Sequence, residues 1–341
     1  MHLILNSYGA MLSREDGLFL VSTPDGRQLL PPDRVTSISV GRAVRITSDA
    51  ILMAIEHEID VMFVTDSGHP EGRVWSVRYG SVSDLRRAQL DFIYGPHVMQ
   101  WVRELLAEKL NNQIALLLAF QPDVEADMPV HNIIRAAINA IEDHRGKILR
   151  AEGESLSDIA PSLRGWEGAA GRKYFEALNA VLPAAYRFKG RSRLPATDMF
   201  NSMLNYSYGM LYGKVEGAII KAGLDPYAGI FHRDDYNRPA LVFDVIERYR
   251  MWTDFVVVQL CRMQGIPPDL FGTDADTGAC MMLPLGKRIL IQAVNDYLAE
   301  VVDLGGLPRS RITHLELQQQ QLAQYLLARR PERSADGGSN K

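Results

Sequence analysis

The residues best suited to chemistry lie in one short segment, GIFHRDDYNRPALVFDVIERYR, at positions 229–250. His232 stands in a predicted loop, and Asp244 and Glu247 follow it within an apolar run. A helix places residues three apart on one face, with their Cβ atoms about 5–6 Å apart, so both carboxylates point the same way. Their apolar neighbours indicate a largely buried helix, in which a carboxylate pair needs a partner such as a divalent cation.

A purely structural role for these residues stays open at this level. Asp244 and Arg248 are four residues apart, so they could form an exposed ion pair worth ~0.3–0.5 kcal/mol. His232 could serve packing alone, because the chain has eight histidines. Its place one short loop from a buried, carboxylate-bearing helix favours a ligand. Imidazole together with hard oxygen ligands suits Mn²⁺ or Mg²⁺ better than a structural zinc.

Glu167 is the third candidate, in the segment LRGWEGAAGRKYFEAL. It lies between Gly165 and Gly168, at the predicted start of a helix over 166–181. A glutamate in a first helical turn is favoured by the helix dipole and needs no function. The glycines, with Gly171 one turn later, would let another helix or a phosphate backbone approach closely.

The densest basic stretch begins the segment YRFKGRSRLPATDMFNSMLNYSYGML, between two predicted helices. A loop of this kind, with Gly and Pro among its basic residues, is typical of a phosphate-binding segment. A solvated run of charges is the plain alternative. The predicted DNA-binding side chains are Arg187, Lys189, Arg191 and Arg193 in this loop, with Arg248 and Arg250 beside the carboxylates.

Two regions of different character must position these residues. Residues 1–80 contain short β-favouring runs such as HLILN, YGAMLS, GLFLVST and RVTSISV, with one helix at TSDAILMAIEHEI. From about Ser83 the patterns become helical, and the segment TGACMMLPLG is ambiguous between a strand and a buried loop. The later helices are predicted at 130–150, 166–181, 198–222, 239–264 without a break, 286–303 and 311–329.

The predicted fold class is therefore α+β. An N-terminal β-strand-rich domain over 1–80 is followed by a short linker near 78–84 and a larger all-α catalytic domain over 85–330. The polar, Gly- and Ser-rich residues 331–341 are predicted to form a disordered tail.

Composition places the chain among globular proteins, since 47% of its 341 residues are hydrophobic and 23% are charged. A net charge of −4 counts mildly against nucleic-acid binding, so phosphate affinity must come from a local basic patch. Cys261 and Cys280 lack CxxC spacing. This favours a reducing, cytoplasmic compartment over a disulfide framework or a cysteine zinc site.

Several function classes lack their sequence signals. The chain has no GxxxxGK[ST], GxSxG or dinucleotide-binding motif, so use of ATP or a dinucleotide is not predicted. The start MHLILNSYGAML lacks a basic n-region and a small-residue cleavage site, which indicates a first strand and not a signal peptide. A membrane span needs a run of roughly 18 apolar residues or more, and no such run occurs.

Four segments in a fixed order, WEG, RLPATDMFNSMLNYSYGML, GLDPYAGIFH and LVFDVIERYR, resemble one family. It is the CRISPR-associated spacer integrases, the metal-dependent DNA endonucleases of CRISPR adaptation. Over about residues 165–250, the motifs match those of the family in order, spacing and residue types. A looser match extends over the whole chain, including KLNNQ at 109–113. The family commonly has proline directly after the helical glutamate, whereas Arg248 and Tyr249 stand there in this chain.

The resemblance implies a metal site and a reaction. By motif, the family's ligands for Mg²⁺ or Mn²⁺ fall on Glu167, His232 and Glu247, with Asp244 as a further acidic residue that orients His232 or a water. In the implied reaction, the 3′-hydroxyl of a captured DNA fragment attacks a phosphodiester of the CRISPR repeat. The nucleophile then belongs to DNA, and no Ser or Cys nucleophile is required.

The resemblance also implies partners. The substrates are double-stranded and branched DNA, and the protein forms a homodimer through its N-terminal domains. Two such dimers are expected to clasp a dimer of a small ferredoxin-like CRISPR adaptation protein, which makes a heterohexamer.

Two other functions stay open. A metal-dependent phosphoesterase of small substrates would use the same three ligands, but it needs a closed pocket and little basic surface. A non-catalytic helical or DNA-binding scaffold would carry Asp244 and Arg248 as a surface pair. Such a scaffold would show no effect of divalent ions on thermal stability.

Overall fold

The computed structural model describes residues 1–65, 70–74, 82–232 and 238–330. The chain forms two compact units, of which the first contains Met1–Gly80 and Tyr212–Gly217. The second unit contains Ser81–Leu211 and Ala218–Lys341. The predicted linker near 78–84 lies partly outside the described residues, and the predicted tail over 331–341 lies wholly outside them.

The first unit is built from two four-stranded sheets, one helix of its own, and Tyr212–Gly217 from the middle of a later helix, Met199–Lys221. One sheet has the order β1-β5-β7-β8, with β8 antiparallel, and the other has the order β4-β3-β2-β6, with β6 parallel to β2. Asp16 and Gly17 both have positive φ between β2 and β3, as a tight Asp-Gly hairpin requires. The elements are β1 (His2–Leu5), β2 (Met11–Glu15), β3 (Leu18–Thr23), β4 (Gly26–Leu30), β5 (Ser37–Gly41), β6 (Arg45–Ile46), α1 (Ser48–Glu56), β7 (Asp60–Val64) and β8 (Pro70–Arg73).

The second unit is helical, with two short hairpins. The segment that was ambiguous in sequence forms strand β10, which pairs with β9. Among the described residues, no helix combines the length and apolar character needed to cross a bilayer. The elements are α2 (Val82–Ile93), α3 (Val98–Phe120), α4 (Met128–Leu149), α5 (Leu156–Val181), α6 (Met199–Lys221), α7 (Ala240–Ile246), α8 (Arg250–Arg262), β9 (Phe271–Thr273), β10 (Cys280–Met282), α9 (Pro284–Ala299), β11 (Val301–Leu304), β12 (Leu307–Ser310) and α10 (Arg311–Ala328). The predicted α+β class, with a strand-rich region before a helical one, is confirmed.

The prediction of one unbroken helix over 239–264 is wrong, because this segment is split into α7 and α8. Between them, the amides of Arg248 and Tyr249 bond the carbonyls three residues earlier, which tightens the chain. The side-chain amide of Asn112, in α3, donates to the Arg248 carbonyl at 2.9 Å. Since that partner comes from a distant helix, the local periodicity could not predict the break.

The predicted start of the Glu167 helix is also wrong. α5 begins at Leu156, after a capping box in which the Asp158 carboxylate accepts the Ser155 amide at 2.8 Å. Pro161 lies inside the helix, where packing against α3 and α4 outweighs its missing hydrogen bond. Glu167 therefore lies in the middle of a long helix, and the helix dipole does not account for it.

Candidate active site

Asp244 organises the loop that carries His232. Its carboxylate is fully buried and accepts four hydrogen bonds from that loop. Oδ2 accepts from the amides of Ile230 and Phe231, at 2.6 and 3.1 Å. Oδ1 accepts from the His232 amide at 3.0 Å and lies 2.7 Å from the imidazole Nδ1. The loop is thus held against α7 by one carboxylate.

Gly229 allows this loop to lie so close to α7. A Cβ at this position would lie 2.4 Å from the Cβ of Ala240 and 2.7 Å from the carbonyl oxygen of His232. Any larger residue would push the loop and the helix apart, so the glycine is a packing requirement of the His232 turn.

His232 is oriented by Asp244. A carboxylate oxygen only accepts hydrogen bonds, so the imidazole proton is assigned to Nδ1 from this contact, and Nε2 keeps its lone pair. Burial lowers the pKa of His232, but the hydrogen bond to Asp244 and the nearby carboxylates of Glu247 and Glu167 outweigh it and raise the pKa overall.

The structural alternative of an exposed Asp244–Arg248 ion pair is wrong. Asp244 has no exposed surface. Arg248 pairs instead with Glu108, its Nε lying 3.0 Å from the carboxylate, and its guanidinium lies 5.8 Å from the centre of the Trp101 ring. The helix break turns the two side chains to different surroundings.

Glu167 and Glu247 converge on one cation, the ammonium group of Lys109. Lys109 comes from α3 and Glu167 from α5, and Glu247 directly follows the last residue of α7. Nζ contacts Glu167 Oε1 and lies 2.6 Å from Glu247 Oε2. Glu247 Oε1 accepts a hydrogen bond from Nε of Arg250 at 2.9 Å. All three contacts are at least partly buried, so they are only weakly screened by water.

The charge on Glu247 is strongly stabilised. Burial favours its neutral form, but the Arg250 guanidinium and the Lys109 ammonium outweigh burial and lower its pKa to about 2. Burial also disfavours the charge on Lys109, but Glu247 and Glu167 outweigh it and raise the Lys109 pKa. Oε2 of Glu247, although close to Lys109, receives no hydrogen bond of acceptable geometry from any residue that the structure describes.

A second buried cluster lies beside this one. The Asp254 carboxylate accepts the hydroxyls of Tyr174 and Tyr208, at 2.6 and 2.7 Å. The guanidinium of Arg250 lies 4.5 Å from the centre of the Tyr208 ring, and that of Arg191 lies 5.4 Å from it. Burial raises the pKa of both tyrosines and of Asp254. The cluster therefore holds two arginines through a tyrosine ring.

Both clusters face one cavity of about 410 Å³. Three carboxylates line it, and cationic side chains outnumber them two to one. Such a cavity favours a polyanionic ligand over a lone cation. The charged lining residues are Glu167, Glu247 and Asp254, with Lys109, Arg164, Arg191, Arg193, Arg238 and Arg250.

The structure brings most of the predicted site residues together. Glu167, His232 and Glu247 line the cavity, and Asp244 lies behind His232. Among the predicted DNA-binding residues, Arg191, Arg193 and Arg250 also line it. Arg187 and Lys189 are exposed and lie outside its lining. Arg248, which pairs with Glu108, is partly buried and also lies outside the lining.

No three His, Cys, Asp or Glu side chains of the described residues form a ready metal-binding cluster. The reason lies in the contacts above, since Lys109 stands between the two glutamates and the Asp244 carboxylate is directed at its own loop. The donor types nevertheless fit a hard divalent cation. Two carboxylates already share one cation, one buried carboxylate oxygen lacks a hydrogen bond, and the neighbouring imidazole keeps a lone pair.

A family-level comparison decides what the chain is related to. The model of the family described as CRISPR associated protein Cas1 matches residues 3–296. The chain belongs to the Cas1 family. Two curated relatives are similar over about nine tenths of their length. The Rhodospirillum rubrum CRISPR-associated endonuclease Cas1 2 is 30% identical over 92% of this chain and 91% of its own. The Archaeoglobus fulgidus CRISPR-associated endonuclease Cas1 1 is 29% identical over 87% of this chain and 88% of its own.

Solved structures share the Cas1 fold at low sequence identity. The Cas1 protein TM1797 from Thermotoga maritima has a TM-score of 0.80 at 19% identity, over 100% of both chains. A casposase bound to integration product has a TM-score of 0.79 at 21% identity, over 97% of this chain and 92% of its own. A chain of a Cas6-RT-Cas1–Cas2 complex has a TM-score of 0.77 at 22% identity, where this chain covers 35% of the longer one.

Sequence reasoning missed several cavity residues of this Cas1-family chain, among them Lys109, Tyr174 and Asp254. Lys109 had a signal, because its segment KLNNQ places polar residues within the otherwise apolar α3, and Gln113 of this segment is buried. The signal for Asp254 was weaker, because it is only a single acidic residue within the apolar run of α8. Tyr174 had none, since a buried tyrosine in a helix is ordinary.

Proposed function

We propose that this chain inserts captured DNA fragments into the CRISPR array as spacers, by metal-dependent transesterification, and that the same site cuts DNA. One observation carries the proposal. Glu167 and Glu247, from two different helices, converge on a single buried cation beside an oriented His232, in a cavity whose other charges are mainly positive. Such a site holds a cation and a phosphodiester next to each other.

The proposed reaction needs no nucleophile from the protein. The 3′-oxygen of the incoming strand forms a new P–O bond, the P–O bond to the displaced 3′-oxygen breaks, and the proton of the attacking hydroxyl passes to solvent while the leaving oxygen gains one. The number of phosphodiester bonds does not change. The lack of any nucleoside triphosphate motif agrees with this balance.

Glu167, His232 and Glu247 would hold Mg²⁺ or Mn²⁺ in this proposal. When bound there, the cation stabilises the negative charge that develops on the phosphate oxygens. Asp244 positions the imidazole, because it fixes both the backbone of the 230–232 turn and the proton on Nδ1. Asp244 therefore affects the reaction through the position of His232, without contacting DNA itself.

The cavity arginines would bind the phosphates next to the reacting one. Arg191 is held by two amide oxygens, those of Asn201 at 2.6 Å and Asn205 at 2.7 Å, so its guanidinium is preorganised. Arg193 and Arg250 line the same cavity. Arg187 and Lys189 are exposed beyond it and would extend the phosphate track along the DNA.

A strip of glycines supports access by DNA. Gly165, Gly168 and Gly171 lie three apart on α5, around Glu167. A Cβ built at any of them meets no atom of the described residues within 4 Å. This face of the helix thus lies open beside the carboxylate, as the close approach of a strand backbone requires.

The proposal includes partners. We propose a homodimer through the N-terminal strand-rich region, and a heterohexamer in which two dimers bind a dimer of a small ferredoxin-like protein. The similar fold found within a Cas6-RT-Cas1–Cas2 complex is in keeping with such an assembly. The array is chromosomal DNA, so the proposed place of action is the cytoplasm.

A phosphoesterase of small substrates is the second candidate. It would use the same carboxylates, and the cavity volume of about 410 Å³ would hold such a substrate. The excess of arginines in the lining favours a longer polyanion over a small phosphoester. Double-stranded and branched DNA therefore remain the proposed substrates.

Strand transfer on a branched DNA that mimics an integration intermediate tests the proposal, with Mn²⁺ or Mg²⁺ present. We expect Glu167→Gln, His232→Asn and Glu247→Gln to lose more than about 100-fold of the rate, because each replaces a carboxylate or imidazole ligand by an uncharged amide, which is a weaker ligand. Glu316→Gln is the control, since Glu316 pairs with Lys221 at 3.0 Å outside the cavity. Wild-type protein that binds the DNA but stays inert with both metals would leave only a DNA-binding scaffold.

A further inference from the structure

Lys109 has no part in the reaction as proposed, yet it occupies the centre of the site. Its Nζ contacts Glu167 Oε1 and lies 2.6 Å from Glu247 Oε2. Its side chain is only 14% exposed, against 18% for Glu167 and 8% for Glu247. A lysine so deeply placed between two proposed metal ligands stands where a bound cation would be coordinated.

The glutamate pair needs this cation. Two buried carboxylates close to one ammonium would repel each other strongly if the ammonium were absent. Arg250 does not replace it, because its Nε bonds only Oε1 of Glu247, at 2.9 Å. Glu167, Glu247, Lys109 and Arg250 together carry two negative and two positive charges. Without a divalent ion, the cluster is therefore already neutral.

Lysine is suited to leave such a position. Its ammonium is a compact point charge on a flexible four-carbon stem, whereas a guanidinium binds carboxylates through a rigid fork. The cavity next to Lys109, with a volume of about 410 Å³, is large enough to receive the displaced side chain. A divalent ion that binds both glutamates must compete with the ammonium for Oε1 of Glu167 and Oε2 of Glu247.

We infer that Lys109 is an internal counter-ion, which holds Glu167 and Glu247 together in the metal-free protein and is displaced when a divalent cation binds. The released ammonium then lies in the cavity, where it contacts the phosphodiester. The inference rests on the proposed metal site. It assigns to Lys109 two successive partners, first the carboxylates and then the substrate phosphate.

Calorimetric titration of Mn²⁺ into the full chain tests this order of events. We expect Lys109→Met to bind Mn²⁺ at least about tenfold more tightly than wild type, because the ion no longer displaces a charged competitor. Lys173→Met is the matched control. Lys173 lies on the Glu167 helix and, like Lys109, pairs with a carboxylate, that of Glu176 at 2.8 Å, but its side chain is 51% exposed. The Lys173→Met protein should bind Mn²⁺ with the same affinity as wild type.

The outcomes separate this inference from the proposed function. If wild type binds Mn²⁺, Glu247→Gln does not, and Lys109→Met binds no more tightly than wild type, the metal site stands and the counter-ion role of Lys109 is refuted. If neither wild type nor Lys109→Met binds Mn²⁺, the metal site itself fails, and the inference fails with it.

A second measurement needs no variant and applies even if Lys109→Met does not fold. Wild-type protein is treated briefly with an amine-acetylating reagent, with and without saturating Mn²⁺, and each lysine is quantified by mass spectrometry. We expect acetylation of Lys109 to rise at least about fivefold with Mn²⁺, since the reagent acylates the neutral amine, and release from the two carboxylates both exposes the side chain and favours that neutral form. Lys173 should be labelled equally in both samples. Unchanged labelling of Lys109 with bound Mn²⁺ would contradict displacement.

Discussion

Replacing Asp244 by asparagine tests how much the Asp244 carboxylate stabilises the loop that carries His232. The native carboxylate accepts four hydrogen bonds, two at each oxygen. An asparagine side chain of the same shape keeps one oxygen, which can still accept the amides of Ile230 and Phe231. Its NH₂ group then faces the His232 amide and Nδ1–H, so donors oppose donors where acceptors are required.

The cost follows from these contacts. The substitution removes two hydrogen bonds to a charged group and leaves the partly buried amide of His232 without an acceptor, at ~1–3 kcal/mol for each loss. We therefore expect Asp244→Asn to lower the free energy of unfolding by about 3–5 kcal/mol. In a chain of this size, such a loss corresponds to a Tm lower by roughly 4–7 °C.

The same change should weaken the metal site. The amide NH₂ can relieve its conflict by donating to Nδ1, which forces the imidazole proton to Nε2 and removes the lone pair intended for the ligand. Loss of such an orienting partner costs about 10–100-fold in metal affinity. Urea unfolding and Mn²⁺ titration measure the two effects. Asp143→Asn is the control, because Asp143 pairs with Lys147 on the exposed surface of α4. An Asp244→Asn protein that loses less than about 1 kcal/mol would refute the assignment of four hydrogen bonds.

Two further results are expected. Acid should destabilise the metal-free protein through Glu247, whose ordinary pKa of 4.5 is lowered to about 2 by Arg250 and Lys109 against the opposing effect of burial. The stability that ionised Glu247 contributes, about 3 kcal/mol, is fully present above pH 4.5 and is lost as the pH falls towards 2. Urea unfolding in EDTA should show that the free energy of unfolding falls less steeply with pH in Glu247→Gln than in wild type. Equal slopes for the two proteins would contradict the prediction. Gly168→Ala should stabilise the protein by ~0.5–1 kcal/mol, because the residue lies inside α5 and its new methyl group meets no described atom within 4 Å. If a DNA backbone follows this face, the same variant should bind branched DNA more weakly in a fluorescence anisotropy titration, and unchanged affinity would exclude a close approach there.

Local chemistry made much of the fold predictable. Short β-favouring runs with Asp-Gly turns indicated the strand-rich first region, and long 3.6-residue periods indicated the helical second region. Both signals depend on neighbours in sequence, so they survive without knowledge of the tertiary structure. Where a distant group takes part, the same reasoning failed. The side chain of Asn112 binds the Arg248 carbonyl at the break between α7 and α8, and packing against α3 and α4 keeps Pro161 inside α5.

The sequence by itself determined the candidate residue types of the site. Glu167, His232 and Glu247 could be named because their motifs stand in a recognisable order, and a histidine one loop from a buried acidic helix is uncommon. Only the tertiary structure decided what each group contacts. In the folded chain, Asp244 accepts hydrogen bonds from the loop of His232, and Lys109 lies between the two glutamates. Asp254 accepts hydrogen bonds from two tyrosine hydroxyls. The physical reason is that burial and charge pairing join side chains far apart along the chain, and no local pattern records which of them meet.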